Sequence, residues 1–475
     1  MIPERPLPSD LSAYADIIPD FSALQALQDR SLPTCIWANT LKISPDRLYT
    51  LMRALGYQLQ PVAWHPAAFL LEDAPRIGQI WPYYAGLYQV QEAVSMMAGY
   101  FLGAKPHERV LDLCAAPGNK TAQLAVAMQN TGTLIANDKS YGRLRALGQI
   151  MKRLGLINIS SSVYDGTAYP QLNDFFDRVL VDAPCSCQGT YRKGRHKKVE
   201  VHRGRSLKMA DTQYALLERA FSVTRPGGTI LYSTCTFAPE ENEAVISRFK
   251  YQHGDHIQVL PLAMPKIVYS PGCAAWQGEA FHPDVVHTRR LWPHQNNTGG
   301  FYLALLRKAN KESCQKKQAA QILPVCNTVV HDAKRELKAR FAMTDDEKYL
   351  WHTKSRRGVY LTAADHVLPT GLAVDATGLF AFKHKIRFPK LTTGAAMFLA
   401  PYFAKNTLAF SDAQMTQYYQ REPAILDASQ VNLLSDQGYV LVTYKGCALG
   451  LGMYYPSSDS RPATVVSLFP KYLLG

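Results

Sequence analysis

The 475-residue sequence lacks the features that would place it outside the cytosol. It contains no run of about 18 apolar residues, which a membrane-spanning helix requires. The first residues, MIPERPLPSDL, do not place a basic segment before an apolar one, so no secretory signal is predicted. The nine cysteines are then expected to be reduced thiols, because disulfides rarely persist in the cytosol. We expect a cytoplasmic protein with no membrane span.

Acidic residues are the scarcer of the two charge types. The chain has 38 Asp and Glu against 52 Lys and Arg, which gives a formal net charge of +14. Such an excess raises the encounter rate and the non-specific affinity for polyanions. A nucleic acid or an anionic membrane surface is therefore favoured as the partner.

Two common nucleotide-binding motifs are also missing. The segment LDLCAAPGNKT fits neither GxGxxG nor GxxxxGK[ST], which argues against nicotinamide and ATP binding. From residue 109 onwards, however, apolar strand-like runs alternate with helical stretches, which is typical of a parallel α/β fold. FDRVLVDAPC is a predicted fourth strand, TILYSTC a fifth, and GGFYLALLRK a further strand that closes the sheet. A helix is predicted at about 211–225.

The rest of the chain divides at polar segments into flanking regions. The polar segment KANKESCQKKQAAQ is the best linker, and Lys445-Gly446 is a predicted hairpin turn in a β-rich end. The predicted units are a small N-terminal domain (1–104), the α/β domain (105–308), a central extension (322–400) and a β-rich C-terminal region (401–475).

Acidic residues follow three successive predicted strands. Asp112 ends the first strand, and Gly118 with its small neighbours lets the chain turn tightly at the carboxyl edge of the sheet. Asp138 ends the second strand, where an acid can accept hydrogen bonds from ribose hydroxyls, and Asp165 ends the third, beside an adenine ring. One such Asp alone is more often a loop acid or a helix cap. All three together favour an adenosine-type ligand without phosphates.

Two cysteines follow the next two predicted strands. Cys185 and Cys235 should therefore lie at the same edge as the adenosine site. A thiolate that adds to C6 of a pyrimidine activates C5 for methylation, and a second group must help to release the product. Lys120 would favour the thiolate, and Asp182 could stabilise or protonate the N3 edge of the ring. Spacing alone does not rank the two cysteines, because DNA cytosine methyltransferases attack with a Pro-Cys thiol.

Five segments carry a family resemblance: YQVQEAVSMMAG, DLCAAPGNKT, DAPCSCQGTYRK, YSTCTFAPEENEAV and RLWPHQNNTGGFYLALLRK. Together they cover most of residues 80–308 and resemble the NOL1/NOP2/Sun-type RNA 5-methylcytosine methyltransferases, which use S-adenosylmethionine. The resemblance implies a Rossmann-like class I S-adenosylmethionine-dependent domain. It also implies that Cys235 is the nucleophile and that Cys185 assists release of the methylated base.

The resemblance further implies a cofactor site next to the target base. Its predicted lining is Cys114, Ala115, Ala116, Pro117, Gly118, Asn119, Lys120, Asp138, Asp165 and Asp182. Lys120 and Asp182 are also expected near the base. No metal is predicted, because a zinc site would need a second cysteine pair at suitable spacing. Cys187 stands where the family more often has Gly, and we expect no role for it.

A basic stretch at 192–208 follows the first cysteine motif. A run of charges is often only a solvated loop, but its position beside the predicted active edge favours contact with phosphates and a salt-dependent affinity. The predicted RNA-binding residues are Arg192, Lys193, Arg195, Lys197 and Lys198.

Both flanking regions extend the resemblance. LPTCIWANTLKIS is similar to a family segment, but Trp37 and Ala38 replace its usual Arg and Val, so the function of that Arg is in doubt here. GLFAFKHKIRFPKL and GYVLVTYKGCALGLGMYY are similar to the extension of bacterial RsmF-type ribosomal RNA methyltransferases, whose end is PUA-like. This similarity implies a cytosine near the decoding region of 16S ribosomal RNA, in the small subunit, as the target.

Two alternatives remain open. Transfer RNA could be the substrate of the same catalytic domain. The chain could also be a non-catalytic RNA-binding or ribosome-assembly factor that retains the fold. That interpretation predicts a missing motif residue, whereas Cys185, Cys235, Asp182 and the cofactor acids are all present.

Overall fold

The computed structural model describes residues 11–27, 30–193, 201–310, 319–322, 328–344, 348–355, 358–383 and 390–470. Within these ranges, none of the helices combines the length and the hydrophobicity that crossing a bilayer requires. Three of the predicted RNA-binding residues lie outside the described residues, namely Arg195, Lys197 and Lys198.

The N-terminal region forms a four-stranded antiparallel sheet in the order β2-β3-β1-β4. Its strands are β1 (Thr34–Ala38), β2 (Leu59–Pro61), β3 (Ala68–Leu71) and β4 (Tyr88–Val90). Its helices are α1 (Phe21–Ala26), α2 (Pro45–Ala54) and α3 (Trp81–Tyr84). Helix α2 begins at Pro45 because the Ser44 hydroxyl accepts a hydrogen bond from the Arg47 amide, 3.3 Å away, and caps the first turn.

The central domain contains a mixed sheet whose five middle strands are parallel, in the order β9-β8-β5-β6-β7. These strands are β5 (Arg109–Asp112), β6 (Thr133–Asn137), β7 (Ile159–Ser162), β8 (Phe176–Asp182) and β9 (Thr224–Thr234). Later strands are β10 (Ile257–Leu260), β11 (Ser270–Pro271), β12 (Ala275–Trp276), β13 (Glu279–Ala280), β14 (Arg289–Leu291) and β15 (Phe301–Lys308). As predicted, β15 extends the sheet, by pairing antiparallel with β9.

Helices cover both faces of this sheet. They are α4 (Ala93–Leu102), α5 (Asn119–Ala127), α6 (Tyr141–Leu154), α7 (Arg203–Val223), α8 (Glu243–His253) and α9 (Pro293–Asn296). Alternate residues of a strand point to opposite faces, so Val110 packs with α4, α5 and α6 while Leu111 packs with α7 and α8. Helix α7 begins at Arg203, well before the predicted start near 211. The sequence does not indicate its first turns, because their basic residues show no apolar periodicity.

The central extension forms a second antiparallel sheet and also reaches the first one. Its strands are β16 (Ala320–Ile322), β17 (Tyr349–Ser355), β18 (Gly358–Ala363), β19 (Val367–Pro369), β20 (Ala376–Thr377), β21 (Leu379–Lys383) and β22 (Lys390–Leu391). Its helices are α10 (Thr328–Phe341) and α11 (Thr393–Leu399). Strand β20 pairs with β7, and buried His366 hydrogen bonds the Ser160 hydroxyl at 2.8 Å. The extension therefore covers one edge of the central sheet.

The C-terminal region forms a five-stranded sheet in the order β23-β25-β26-β27-β24. These strands are β23 (Thr407–Ala409), β24 (Ala424–Ile425), β25 (Gly438–Tyr444), β26 (Cys447–Tyr455) and β27 (Thr464–Ser467), with helices α12 (Asp412–Gln420) and α13 (Ala428–Val431). The predicted Lys445-Gly446 hairpin is confirmed, with φ of 48° and 76° at the two turn residues. This region shares a core with the N-terminal region, where the rings of Trp81 and Tyr444 lie 5.1 Å apart.

Candidate active site

The candidate site lies at the carboxyl edge of the central sheet, where several predicted site residues follow the ends of parallel strands. Asp112 ends β5 and Asp182 ends β8. In the register of β8 and β9, Asp182 lies opposite Ser233, so the loops that carry Cys185 and Cys235 begin side by side. Parallel strands bring such loops together because their carboxyl ends share one edge.

The two predicted catalytic cysteines are in contact. Their sulfur atoms lie 3.3 Å apart, and the backbone amide of Cys235 donates to the Cys185 sulfur at 3.3 Å. The sulfur of Cys187 lies 3.9 Å from that of Cys185. The structure thus gathers three thiols where the sequence predicted two.

The environment of these thiols favours their protonated forms. A hydrogen bond with Cys185 lowers the pKa of Cys235, but a bond with Cys187, burial and the charge of Asp182 outweigh it and raise that pKa to about 12. Hydrogen bonds with Cys187 and Cys235, together with burial, raise the pKa of Cys185 well above its usual value. In this arrangement the nucleophile must lose a proton before it can attack.

Lys120 pairs with Asp182 instead of contacting a thiol. Its ammonium lies 2.7 Å from Asp182 Oδ2 and donates to the Ser95 hydroxyl at 3.0 Å. The Ser233 hydroxyl donates to Asp182 Oδ1 at 2.8 Å. Burial lowers the pKa of Lys120, but the charge and hydrogen bond of Asp182, together with the charges of Cys235 and Asp112, raise it by more. Asp182 compensates the Lys120 charge at close range, and the support of the thiolate by Lys120 stays a prediction.

Asp112 is a deeply buried acid at this edge. Its Oδ2 accepts a hydrogen bond from the Thr121 hydroxyl at 2.7 Å. Burial raises the pKa of Asp112 to about 7, even though the Thr121 hydrogen bond lowers it. The carboxyl therefore gains or loses its proton near neutral pH.

The loop between β5 and α5 turns tightly beside the acids of the next two strands. The Ala115 amide donates to the Asn137 carbonyl at 2.7 Å, and Gly118 has a φ of 112° that favours glycine. Asp138 is buried and accepts from the Ala116 amide at 3.2 Å. Asp165 does not end the third strand as predicted, because β7 ends at Ser162 and Asp165 instead caps the short 3-10 helix that follows. It is exposed, and its Oδ1 accepts hydrogen bonds from the Thr167 amide and hydroxyl.

Family models match most of the chain. Residues 99–307 match the model of 16S rRNA methyltransferase RsmB/F, and residues 11–93 match the N-terminal domain of 16S rRNA methyltransferase RsmF. The Ribosomal RNA small subunit methyltransferase F of Vibrio parahaemolyticus is 30% identical over 437 residues, which cover 90% of this chain and 89% of the relative. The chain belongs to the RsmF family of 16S rRNA methyltransferases.

Further relatives agree with this assignment. The protein of the same name from Klebsiella pneumoniae is 36% identical over 61% of this chain and 60% of its own length. The crystal structure of a methyltransferase homolog protein from Pyrococcus horikoshii has a TM-score of 0.54 at 31% identity, covering 63% of this chain and 99% of that one. NSun6 from the same organism, solved with SFG, has a TM-score of 0.52 at 22% identity, covering 61% of this chain and 94% of that one, and indicates the fold alone.

Membership in the RsmF family confirms the predicted enzyme class, fold class and cofactor. The protein is an S-adenosylmethionine-dependent methyltransferase of ribosomal RNA with an α/β catalytic domain. The residues present fit this cofactor, because the carboxylate of Asp138 and the free Oδ2 of Asp165 are acceptors suited to an adenosine. The tight loop between β5 and α5 carries no phosphate-binding motif, as expected for an adenosine-type cofactor without phosphates. When bound, S-adenosylmethionine supplies an electrophilic methyl group.

The two described residues at the start of the predicted RNA-binding stretch differ in environment. Lys193 is exposed, whereas Arg192 is only 4% exposed. The Arg192 guanidinium donates at 2.8–3.1 Å to oxygens of Arg30, Ser31, Asn297 and Thr298. Its placement does not support the predicted phosphate contact, because its donors already join the N-terminal region to the loop before β15.

Sequence reasoning missed the acid that holds the Cys185 loop. Glu241 accepts hydrogen bonds from the Ser186 amide at 3.0 Å and from the Gln213 side chain at 2.9 Å, and its pKa is raised by burial. It belongs to the YSTCTFAPEEN segment, so the available signal was an acid beside a cysteine motif. Its hydrogen bonds fix the loop that presents Cys185.

Proposed function

We propose that this chain methylates C5 of a cytosine near the decoding region of 16S rRNA, in the cytoplasm, through a covalent bond between Cys235 and C6. The observation that carries the proposal is the 3.3 Å separation of the Cys185 and Cys235 sulfur atoms at the carboxyl edge. Their position beside Asp182 and Lys120 supports a pyrimidine as the reacting group. Membership in a family of 16S rRNA methyltransferases supports the choice of RNA.

The proposed reaction uses Cys235 as the nucleophile. Its sulfur loses a proton and bonds to C6, which moves electron density onto C5, where the methyl group is accepted. The proton that Cys235 loses passes through water to N3, where Asp182 accepts a hydrogen bond from the new N–H while Lys120 holds the Asp182 carboxylate in place. After methyl transfer, C5 loses its proton and the bond between Cys235 and C6 breaks. N3 then returns its proton through water to the Cys235 sulfur, and the ring becomes aromatic again.

Cys185 is proposed to assist the release of the methylated base. Its sulfur lies 3.3 Å from that of Cys235, and once it has lost its own proton to water it can take up the proton that C5 loses. The target base must leave its stack to reach both thiols. We propose that the N-terminal region, residues 1–104, and the PUA-like region, residues 401–475, hold the RNA on either side of the flipped base.

The role of each cysteine can be tested by substitution. Cys235→Ala should abolish both methyl transfer from labelled cofactor to 16S rRNA and covalent RNA adducts on denaturing gels. Cys185→Ala should accumulate an adduct, because its release step is impaired. Cys447→Ala, in the C-terminal hairpin, is the matched control. An adduct in the Cys235 variant, and none in the Cys185 variant, would mean that the two assignments are exchanged.

The substrate can be tested with separated RNAs. The enzyme is expected to label 16S rRNA, naked or in small subunits, and bisulfite sequencing should place the methyl group on one cytosine of the decoding region. Methylation of transfer RNA alone would contradict the proposed substrate, and RNA binding without methyl transfer would contradict the proposed activity.

A further inference from the structure

Three thiols from two separate loops converge at one point. The sulfur atoms of Cys185, Cys187 and Cys235 all lie within 4.8 Å of one another, and none of the three is in a disulfide. Two of the three separations are 3.3 Å and 3.9 Å. Cys235 lies in the loop after β9, far in the sequence from Cys185 and Cys187. A search of the sequence for closely spaced cysteine pairs therefore does not find this group of three thiols.

These separations suit a metal ion. A d10 cation such as Zn²⁺ binds thiolates at about 2.3 Å, which places the sulfur atoms of a tetrahedral or trigonal site about 3.8–4.0 Å apart. The separation of 3.9 Å between Cys185 and Cys187 already has this value, and that of 3.3 Å between Cys185 and Cys235 needs only a small increase. Three sulfur ligands, with a water molecule in the fourth position, complete the coordination of such an ion.

The backbone at Cys187 provides an independent observation. Its φ is 63°, in the left-handed region, which is unfavourable for a residue other than glycine. A glycine would adopt this conformation without strain but would supply no thiol. The strained conformation directs the Cys187 sulfur towards Cys185, where it donates to the Cys185 carbonyl at 3.2 Å. The chain thus holds a third thiol against the catalytic pair at a cost in stability.

We propose that Cys185, Cys187 and Cys235 form a binding site for a thiophilic d10 cation of the Zn²⁺ class, and that the bound ion blocks methylation. On binding, three S–H bonds release their protons to water and three metal–sulfur bonds form, so no oxidant is needed. The blocking part rests on the proposed role of Cys235, since a metal-bound sulfur cannot attack C6. The binding part does not depend on that role.

Metal binding can be measured on the full chain with Zn²⁺ alone, in competition with a chromogenic chelator and under a non-chelating reductant. The wild type should bind one equivalent, and Cys187→Gly should weaken that binding at least tenfold. Co²⁺ in place of Zn²⁺ should show thiolate charge-transfer absorption that is weaker in the variant. Cys447→Ser should match the wild type. Equal Zn²⁺ affinity in the wild type and Cys187→Gly would overturn the proposal.

Blocking of the reaction is tested separately, in single turnovers with and without Zn²⁺. Zn²⁺ should inhibit the wild type reversibly, with recovery on addition of chelator. Cys187→Gly should need at least tenfold more Zn²⁺ for the same loss, relative to its own metal-free rate. A wild type that binds Zn²⁺ through Cys187 yet keeps its full rate would confirm the metal site and contradict the role of Cys235 as nucleophile.

Discussion

At the amino edge of the central sheet, acidic and basic side chains form ion pairs, whereas at the carboxyl edge they surround a group of thiols. The amino-edge pairs join Glu108 to Arg178, Asp177 to Arg225 and Asp174 to Lys308. They line or adjoin a cavity of about 460 Å³. The carboxyl edge instead holds the thiols of Cys185 and Cys235 and the buried Asp112.

The edges differ in which groups are buried and in their partners, since the amino-edge pair of Asp174 with Lys308 is also largely buried. Partly exposed pairs such as Asp177 with Arg225 are screened by water and contribute about 0–1 kcal/mol each to stability. Burial raises the pKa of Asp112 to about 7, and burial and neighbouring thiols raise that of Cys235 to about 12. A charged cavity alone is therefore weaker support for an active site than shifted pKa values beside thiols.

The largest effect is expected from breaking an ion pair at the carboxyl edge. Asp182→Asn should lower the rate of methyl transfer by about 10²–10⁴-fold, because the group proposed to stabilise the protonated base is lost. Single-turnover kinetics would measure this loss. The amino-edge control, Asp177→Asn, should keep the wild-type rate and lose no more than about 1 kcal/mol of stability.

The Asp182→Asn result also needs a check on folding, because the variant leaves the Lys120 ammonium buried without a counter-charge. Asp182→Asn combined with Lys120→Gln removes both charges and should be equally inactive but more stable. Full activity in either variant would show that the pair has no part in the chemistry.

A second effect concerns stability against pH. Because the pKa of Asp112 is raised to about 7 from 3.8, the folded chain keeps a proton that the unfolded chain has lost, so stability falls as pH rises through this interval. Asp112→Asn should reduce the fall in unfolding free energy between about pH 5 and 7 by about 2–3 kcal/mol. Urea unfolding at several pH values would measure it, and an unchanged slope would contradict the shifted pKa.

A third effect is expected at the cofactor loop. Gly118→Ala should lower affinity for S-adenosylmethionine at least tenfold, because the new Cβ would lie 2.7–2.9 Å from atoms of Leu147 and φ is 112°. Calorimetric titration would measure it. Gly148→Ala, in the same helix as Leu147, has no heavy atom within 4 Å and is the control. It should bind the cofactor normally; equal affinity in both variants would contradict a cofactor role for this loop.

The smallest effect is expected for RNA contacts at the two edges. Lys193→Ala should reduce the slope of log affinity against log salt by about 0.7–0.9, the value for one phosphate contact. Arg307→Ala, an exposed cation at the amino edge, should leave the slope unchanged. Filter binding over a salt series would compare them, and the opposite result would place the RNA at the amino edge.

Much of the catalytic domain could be predicted because its signals are local. The alternation of strands and helices placed Asp112 and Asp182 at strand ends, and parallel strands bring such ends to one edge. The contact between Cys185 and Cys235 follows from the same rule. Their chemical roles remain predictions that the proposed variants test.

Features that depend on distant parts of the chain were not predictable in the same way. The charge of Arg192 and its place beside the first cysteine motif predict an RNA contact, but oxygens from two other regions accept its hydrogen bonds. The sequence predicts no role for Cys187, because it stands where the family more often has Gly. Its closeness to Cys235 depends on the fold. Likewise, no local pattern indicates that β20 joins the central sheet.

The sequence by itself determined the α/β order, the acids Asp112 and Asp182 that end β5 and β8, and the family, since these depend on periodicity and on contiguous motifs. Only the tertiary structure decided which charges are compensated, which thiols touch and which regions share a core. The physical reason is that pairing and desolvation depend on distances between residues far apart in the chain, as for Lys120 with Asp182 and Trp81 with Tyr444.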